Sequence, residues 1–69
     1  MAAILALRPE DDRGQKILDE LEARTRLRPE VIEDGTRHYQ LDTDDADLDA
    51  FDPMLDRIDR DWRIHVTNY

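Results

Sequence analysis

The chain has to build its core without covalent crosslinks, because its 69 residues include no cysteine. Disulfides, thiolate metal sites and cysteine nucleophiles are therefore excluded. A domain of this length buries only about 60% of the surface that its unfolded chain exposes, so its core is thin. The usual compensations that remain are a metal held without thiolates or association with another chain, and association is the commoner. We predict one small α+β domain over residues 1–69 that associates.

Charge is the second constraint on function. The chain has 18 Asp and Glu residues against 10 Lys and Arg, which gives a formal net charge of -8. Such a field repels a phosphate backbone, so we expect no direct binding of nucleic acid. The acids are 13 Asp to 5 Glu and the bases 9 Arg to 1 Lys. This bias suits a halophilic, highly saline cytoplasm, and a GC-rich genome produces the same bias; the sequence leaves both open.

The apolar segments are short. The longest, residues 2–7, is far below the length needed to span a bilayer. A signal peptide would need a basic segment before a longer apolar one, and here the run is followed at once by Arg8 and Pro9. We therefore expect a cytoplasmic protein that has no membrane partner.

The first two predicted elements are a strand and a helix. Residues 2–7 form a continuous apolar run bounded by Pro9, which is typical of a strand in the middle of a sheet. Asp12 with Gln15 three residues later predicts a capping box at the start of a helix that ends near residues 24–25. The apolar stripe of this helix consists of Ile17, Leu18, Leu21 and Thr25.

The next predicted elements are the two strands of a β-hairpin, residues 27–32 and 36–42. A two-residue Asp-Gly turn would pair Val31 with His38. A three-residue loop over residues 33–35 would pair Val31 with Arg37 instead, and it collects the apolar residues on one face. Since register follows the hydrophobic pattern, the three-residue loop is favoured. Pro29 has no backbone donor, which predicts that the first strand of the hairpin is an edge strand.

A second helix is predicted to begin at Thr43 or Asp44. Its apolar residues recur at spacings of three, four and three, and they are Leu48, Phe51, Leu55 and Ile58. Pro53 interrupts this pattern. Either the helix kinks there, or Asp52 caps a second segment with Pro53 at its first position.

The last predicted element is a strand over residues 62–69, where apolar and polar residues alternate. The order of elements is then βαββαβ. With right-handed crossovers it gives a ferredoxin-like α+β fold, a four-stranded antiparallel sheet in the order 4-1-3-2 with two helices on one face. The apolar first strand falls in the middle of this sheet, and the strand that contains Pro29 falls at an edge.

The face of the sheet away from the helices is the predicted binding surface. The alternation places an apolar centre there, with polar and aromatic residues around it. Its predicted members are Ile4, His38, Gln40, Arg63, His65 and Tyr69. We expect this face to bind a protein partner or a second copy of the chain, as a homodimer.

A small-ligand or metal site on the same face is the alternative. It would use His38, His65 and a carboxylate such as Glu30 or Asp42. The two histidines lie two strands apart, which is about 10 Å at the backbone and wide for one metal. We therefore predict neither a metal nor a cofactor.

The sequence lacks the residues that most enzyme classes need. It contains no serine and only two glycines, so it has neither a serine nucleophile nor a phosphate-binding loop. The acidic run over residues 42–52 lacks the glycine and the terminal glutamate of a calcium loop. We therefore expect a non-catalytic binding or regulatory domain. A further alternative is an acidic mimic of nucleic acid, whose carboxylates would come from residues 42–52 and from Asp56, Asp59 and Asp61.

Overall fold

The chain folds as an α+β structure with a four-stranded open sheet. A computed structural model describes residues 3–41 and 51–69. The elements in these ranges are β1 (Ala3–Pro9), α1 (Asp12–Thr25), β2 (Val31–Glu33), β3 (Thr36–Leu41), α2 (Phe51–Ile58), α3 (Trp62–His65) and β4 (Val66–Asn68). The strands are ordered β2-β3-β1-β4 and every neighbouring pair is antiparallel. This is the predicted order read from the other edge, so that prediction is confirmed.

Strand β1 lies in the middle of the sheet, as its apolar sequence predicts. It pairs with β3 along one side and with β4 along the other. Leu5 and Leu7 point toward the helices and are buried. Ile4, the residue before Leu5, points to the opposite side of the sheet and is exposed. The strand extends beyond the predicted apolar run of residues 2–7. Its last residue is Pro9, which pairs with Val66.

Helix α1 begins one residue earlier than predicted. Asp11, not Asp12, is the N-cap, and its carboxylate accepts a hydrogen bond from the Gly14 backbone N–H at 2.8 Å. The helix ends at Thr25, within the predicted limits. Arg26 follows in the left-handed conformation, with φ of 65°, and its N–H donates to the Glu22 carbonyl. This hydrogen bond satisfies one of the last carbonyls of the helix.

The core lies between one face of the sheet and the helices. α1 contributes Ile17, Leu18 and Leu21, which are almost fully buried and confirm most of the predicted stripe. The sheet and the two shorter helices supply the remaining buried side chains, which are Leu5, Leu7, Tyr39, Leu41, Leu55, Trp62 and Val66. Each buried Leu or Ile contributes about 1.5–3 kcal/mol, so this small set accounts for most of the favourable free energy of folding.

The hairpin has a two-residue turn, and the predicted three-residue loop is wrong. Val31 pairs with His38, and Glu33 pairs with Thr36 across Asp34 and Gly35. Both turn residues have positive φ, 52° and 81°, which is the geometry that matches the twist of the flanking strands. The hydrophobic pattern did not decide the register because all three residues of β2 are exposed. β2 is an edge strand, as predicted.

The predicted strand over residues 62–69 is wrong in its first half. Trp62–His65 is a helical turn, and only Val66–Asn68 joins the sheet. Trp62 and Val66 are buried in either case, because a spacing of four fits both a strand and a helical turn. Ile64 distinguishes the two structures: a strand would bury it, whereas the helical turn leaves it 72% exposed.

The second predicted helix lies partly outside the described residues. Thr43, Asp44 and Leu48, at which the start and the first apolar position were predicted, are in the part of the chain that the structure does not describe. In α2, Leu55 is buried, and Phe51 and Ile58 pack against the core.

The close approach of α1 to the junction of α3 and β4 gives the first test. A Cβ at Gly14 would overlap the carbonyl oxygen of His65. We expect Gly14→Ala to lower the free energy of unfolding by at least about 2 kcal/mol, because two backbones would have to separate. Urea denaturation followed by circular dichroism measures this loss.

Two controls accompany this test. Gln15→Ala, on the exposed side of the same turn, should leave stability within about 0.5 kcal/mol. Gly35→Ala meets no atom within 4 Å but has a φ of 81°, so its expected cost, about 1 kcal/mol, comes from backbone strain alone. A stable Gly14→Ala variant would contradict the close approach.

Candidate functional site

The outer face of the sheet, the side away from the helices, is the candidate site. Alternation along each strand and the observed pairing assign its members. We use the term outer face for Ile4, Ala6, Arg8, Val31, Glu33, Thr36, His38, Gln40, Thr67 and Tyr69. Four of the six predicted site residues, Ile4, His38, Gln40 and Tyr69, are therefore brought together on this face.

The pairing arranges these residues in three rows across the strands. The first row runs from β4 to β2 and consists of Thr67, Arg8, Thr36 and Glu33. In the second row, Tyr69 adjoins Ala6 through a backbone hydrogen bond of 2.9 Å, and Ala6 is followed by His38 and Val31. In the third row, Ile4 pairs with Gln40.

The outer face carries three exposed apolar side chains, one on β1, one on β2 and one at the end of β4. Ile4 is 60% exposed, Val31 53% and Tyr69 68%, and these are three of the five large hydrophobic residues that are exposed in the described ranges. A shallow depression of about 340 Å³ lies between Ile4, Val31 and His38. Single exposed apolar residues are ordinary, whereas several on one face of a small sheet favour a contact surface.

Charged and polar groups lie beside these apolar side chains on the outer face. Arg8 and Tyr69 line one depression of the outer face, and the proximity of Tyr69 is the main cause of the raised pKa of the Arg8 guanidinium. With its amide nitrogen toward the carboxylate, Gln40 donates to Glu30 at 2.7 Å. The resulting rim is basic at Arg8 and acidic at Glu30 and Glu33.

Arg63 and His65 are not on the outer face. Both belong to the helical turn α3, so their predicted position beside Tyr69 is wrong. Arg63 lies over the ring of Trp62, 4.5 Å from its centroid, and its guanidinium is 3.2 Å from Asp56. The Trp62 indole N–H also donates to Asp56, at 2.7 Å. These contacts hold α3 against α2.

His65 joins α3 to the start of α1. Its ring N–H at Nδ1 donates to Asp11 Oδ2 at 2.6 Å, and its backbone carbonyl accepts from the Glu10 N–H at 2.8 Å. The hydrogen bond from His65, together with that from Gly14, lowers the pKa of the Asp11 carboxyl. His65 is therefore part of a junction that fixes the fold, which the alternating sequence did not indicate.

A second polar cluster joins α1 to β3. The Tyr39 hydroxyl, on a fully buried ring, donates to Glu22 at 3.0 Å, and Arg37 contacts both Glu22 and Asp19. Burial raises the pKa of Tyr39. The alternation of β3 already placed Arg37 and Tyr39 on the same side, but nothing in the sequence pointed to Glu22 as their partner. Its role is to satisfy polar groups that face the core.

The acids proposed as a mimic of nucleic acid are partly neutralised. Asp59 forms a bidentate pair with Arg13, with Nη2 and Oδ1 2.9 Å apart, and this contact lowers the pKa of the Asp59 carboxyl. Asp56 is paired with Arg63 as described above. Carboxylates that are paired inside the chain are poor stand-ins for free phosphates. Most of the acidic run from 42 to 52 lies outside the described residues.

Metal ligation and membrane insertion find no support in the described ranges. In residues 3–41 and 51–69, no group of three or more His, Asp or Glu side chains is placed to hold a metal ion. His38 and His65, which the alternative metal site would combine, lie on different elements, β3 and α3. None of the helices described by the structure is long and apolar enough to cross a membrane.

Comparison with family models, with curated proteins and with solved structures gave no match to this chain.

The junction at His65 makes stability depend on pH. The pKa of Asp11 is lower in the folded state than in the unfolded state. Its contribution to the free energy of unfolding is therefore complete above the unfolded pKa, about 3.9, and is lost as the pH falls through the folded-state pKa. We expect His65→Ala to flatten this acid dependence, because the variant lacks the main cause of the shift. Urea midpoints measured between about pH 6 and about pH 2 follow the change.

His38→Ala is the matched control, since it removes the other histidine and leaves the Asp11 contact intact. It should keep the steep acid dependence of the unaltered chain. Equal slopes for the unaltered chain and His65→Ala would show that the Asp11 contact contributes nothing to folding.

Proposed function

We propose that this protein is a small non-catalytic binding domain that acts as a homodimer through the outer face of its sheet. The observation that carries the proposal is the exposure of Ile4, Val31 and Tyr69 on the same face of the sheet. A thin core gains from covering such a face, since burial of apolar area in a second copy adds to the free energy of folding.

A two-fold axis makes the outer face complementary to itself. If the axis runs parallel to the strands between β1 and β3, β1 of one copy lies over β3 of the other, in an aligned face-to-face contact. The rows then face each other. Tyr69 lies over Val31 of the second copy, and Ile4 lies over its Gln40.

The charges of the rim also match under this axis. Arg8 and Glu33 belong to the same row, in which β3 separates their strands. The axis brings Glu33 of the second copy to a sideways offset of one strand spacing, about 4.8 Å, from Arg8, across the gap of about 10 Å between the facing sheets, and symmetry repeats the contact. Arg and Glu side chains that extend from the two sheets can meet across this gap. These two ion pairs offset part of the repulsion between two chains that each carry a formal net charge of -8.

We further propose that the fold is ferredoxin-like. Support comes from the strand order, from the antiparallel pairing and from the position of α1 between β1 and β2. The helical turn α3 would then be an extra element in the connection between β3 and β4. Since this architecture hosts many unrelated functions, the functional proposal does not depend on it.

Solution mass tests the dimer. We expect light scattering after size exclusion to give twice the 8.2 kDa of one chain, with a larger dimer fraction in molar KCl, where repulsion is screened. Ile4→Asp should give a folded monomer, because it places a charge at the centre of the contact. Ile64→Asp is the matched control, since Ile64 is also exposed but lies in α3. A monomeric unaltered chain in both salts would overturn the proposal.

A charge exchange tests the two-fold geometry. We expect Arg8→Glu and Glu33→Arg each to weaken the dimer by roughly tenfold, because each places like charges side by side. The double variant should recover to within about threefold of the unaltered chain.

Net charge alone would give a different result. Glu33→Arg reduces the negative charge of each copy, so general repulsion predicts a tighter dimer. A tighter dimer for that single variant, or no recovery in the double variant, would exclude the Arg8–Glu33 contact.

A further inference from the structure

A second contact surface lies at the β2 edge of the sheet, and its chemistry differs from that of the outer face. β2 is the terminal strand of the described sheet and is only Val31–Glu33. Ile32 is 62% exposed and Val31 53%, on opposite sides of the strand. Natural edge strands are usually blunted by lysine, proline or covering loops, and two exposed β-branched residues at an edge favour pairing with another strand.

The backbone of β2 is oriented for such pairing. In an antiparallel hairpin with a two-residue turn, the residues next to the turn form a hydrogen-bonded pair and the following pair is not hydrogen-bonded. Glu33 and Thr36 flank the turn, and Ile32 and Arg37 are the following pair. The N–H and C=O of Ile32 therefore point away from β3, toward the open edge.

Charge decides what can pair with this edge. Residues 30–34 contain Glu30, Glu33 and Asp34 and neither lysine nor arginine. The nearest preceding base, Arg28, is directed elsewhere, because its guanidinium donates to the carbonyls of Glu22 and Leu27. The edge is therefore acidic along its whole length.

A second copy of the chain is a poor partner for this edge. Antiparallel pairing of two β2 strands would centre on Ile32, the residue with outward backbone groups. It would then place Glu30 opposite Asp34 of the second copy, twice by symmetry. Like charges directly opposite each other destabilise a strand pair. An extended strand with basic side chains relieves this repulsion.

We infer that the β2 edge binds an extended basic segment of a partner protein by strand addition. The Ile32 backbone pairs with the segment, and an apolar residue of the segment lies beside Ile32. The Lys or Arg residues that alternate with it then lie beside Val31 and Glu33, and the carboxylate of Glu30 adjoins Val31 along the chain. This inference rests on the proposed role as a binding domain and names the class of its partner. It does not need the dimer, because the edge is lateral to the outer face.

A short synthetic peptide tests the inference. The probe is fluorescein-labelled Lys-Val-Lys-Val-Lys with capped ends, and binding is measured by fluorescence anisotropy with the full chain. We expect saturable binding, with no binding of the matching Glu-Val-Glu-Val-Glu peptide. Because Glu33 also faces Arg8 in the proposed dimer, its variant is made in the Ile4→Asp monomer, where Glu33→Lys should weaken binding of the basic peptide about tenfold or more.

Backbone pairing is separated from simple charge attraction by N-methylation of the peptide. Two isomers each carry two methyl groups on backbone amide nitrogens, either on those of the second and third lysines or on those of the two valines. Only one of these sets can face β2, so one isomer should lose binding and the other should keep it. Equal affinities of the two isomers would overturn strand addition.

Variants of Ile32 in the chain also test whether backbone pairing contributes to binding. Ile32→Pro removes the outward N–H and should weaken binding about tenfold, whereas Ile32→Thr keeps the N–H and should bind within about threefold. Ile4→Asp should bind the peptide normally even as a monomer, so loss of the dimer and loss of the edge site are measured separately. If Ile32→Pro fails to fold, the two peptide isomers still decide the question.

Discussion

The structure depends on the contact between the start of α1 and the backbone of His65. Gly14 lets the helix approach so closely that a methyl group would overlap the His65 carbonyl, which accepts from the Glu10 N–H. The His65 ring holds Asp11, the residue that caps the same helix. Helix, last strand and first strand are thereby fixed at one point. A core of so few large side chains needs such a contact, because apolar burial alone gives it little orientational specificity.

Much of the fold could be predicted because several signals agreed at the same positions. The apolar run of β1 placed it in mid-sheet, Pro29 placed its neighbouring strand at an edge, and the spacing of Ile17, Leu18 and Leu21 gave the buried face of α1. Each of these patterns has one structural solution. Where burial follows a clear period, the sequence is enough to assign an element.

The failures occurred where a pattern had two solutions. Trp62 and Val66 fit a strand or one helical turn equally well, and only the polar contacts of α3 decide between them. At the hairpin, the exposed residues of β2 carried no burial signal, so turn geometry at Asp34 set the register. A shift of one residue exchanges the two sides of a strand. The predicted register paired Val31 with Arg37 on the side of the helices, whereas the structure pairs Val31 with His38 on the outer face.

The junction at His65 also has a kinetic meaning. His65 and Asp11 are separated by 54 positions in a chain of 69 residues, and Thr67 and Glu10, which also hydrogen-bond, by 57. The contact that orients α1 can therefore form only after nearly the whole chain has closed into a loop, and the entropy of that closure is lost before the contact is made. Topologies dominated by such distant contacts fold slowly for their size. We therefore expect this junction to slow the folding of the chain, and rapid formation of the local helices does not remove this limit.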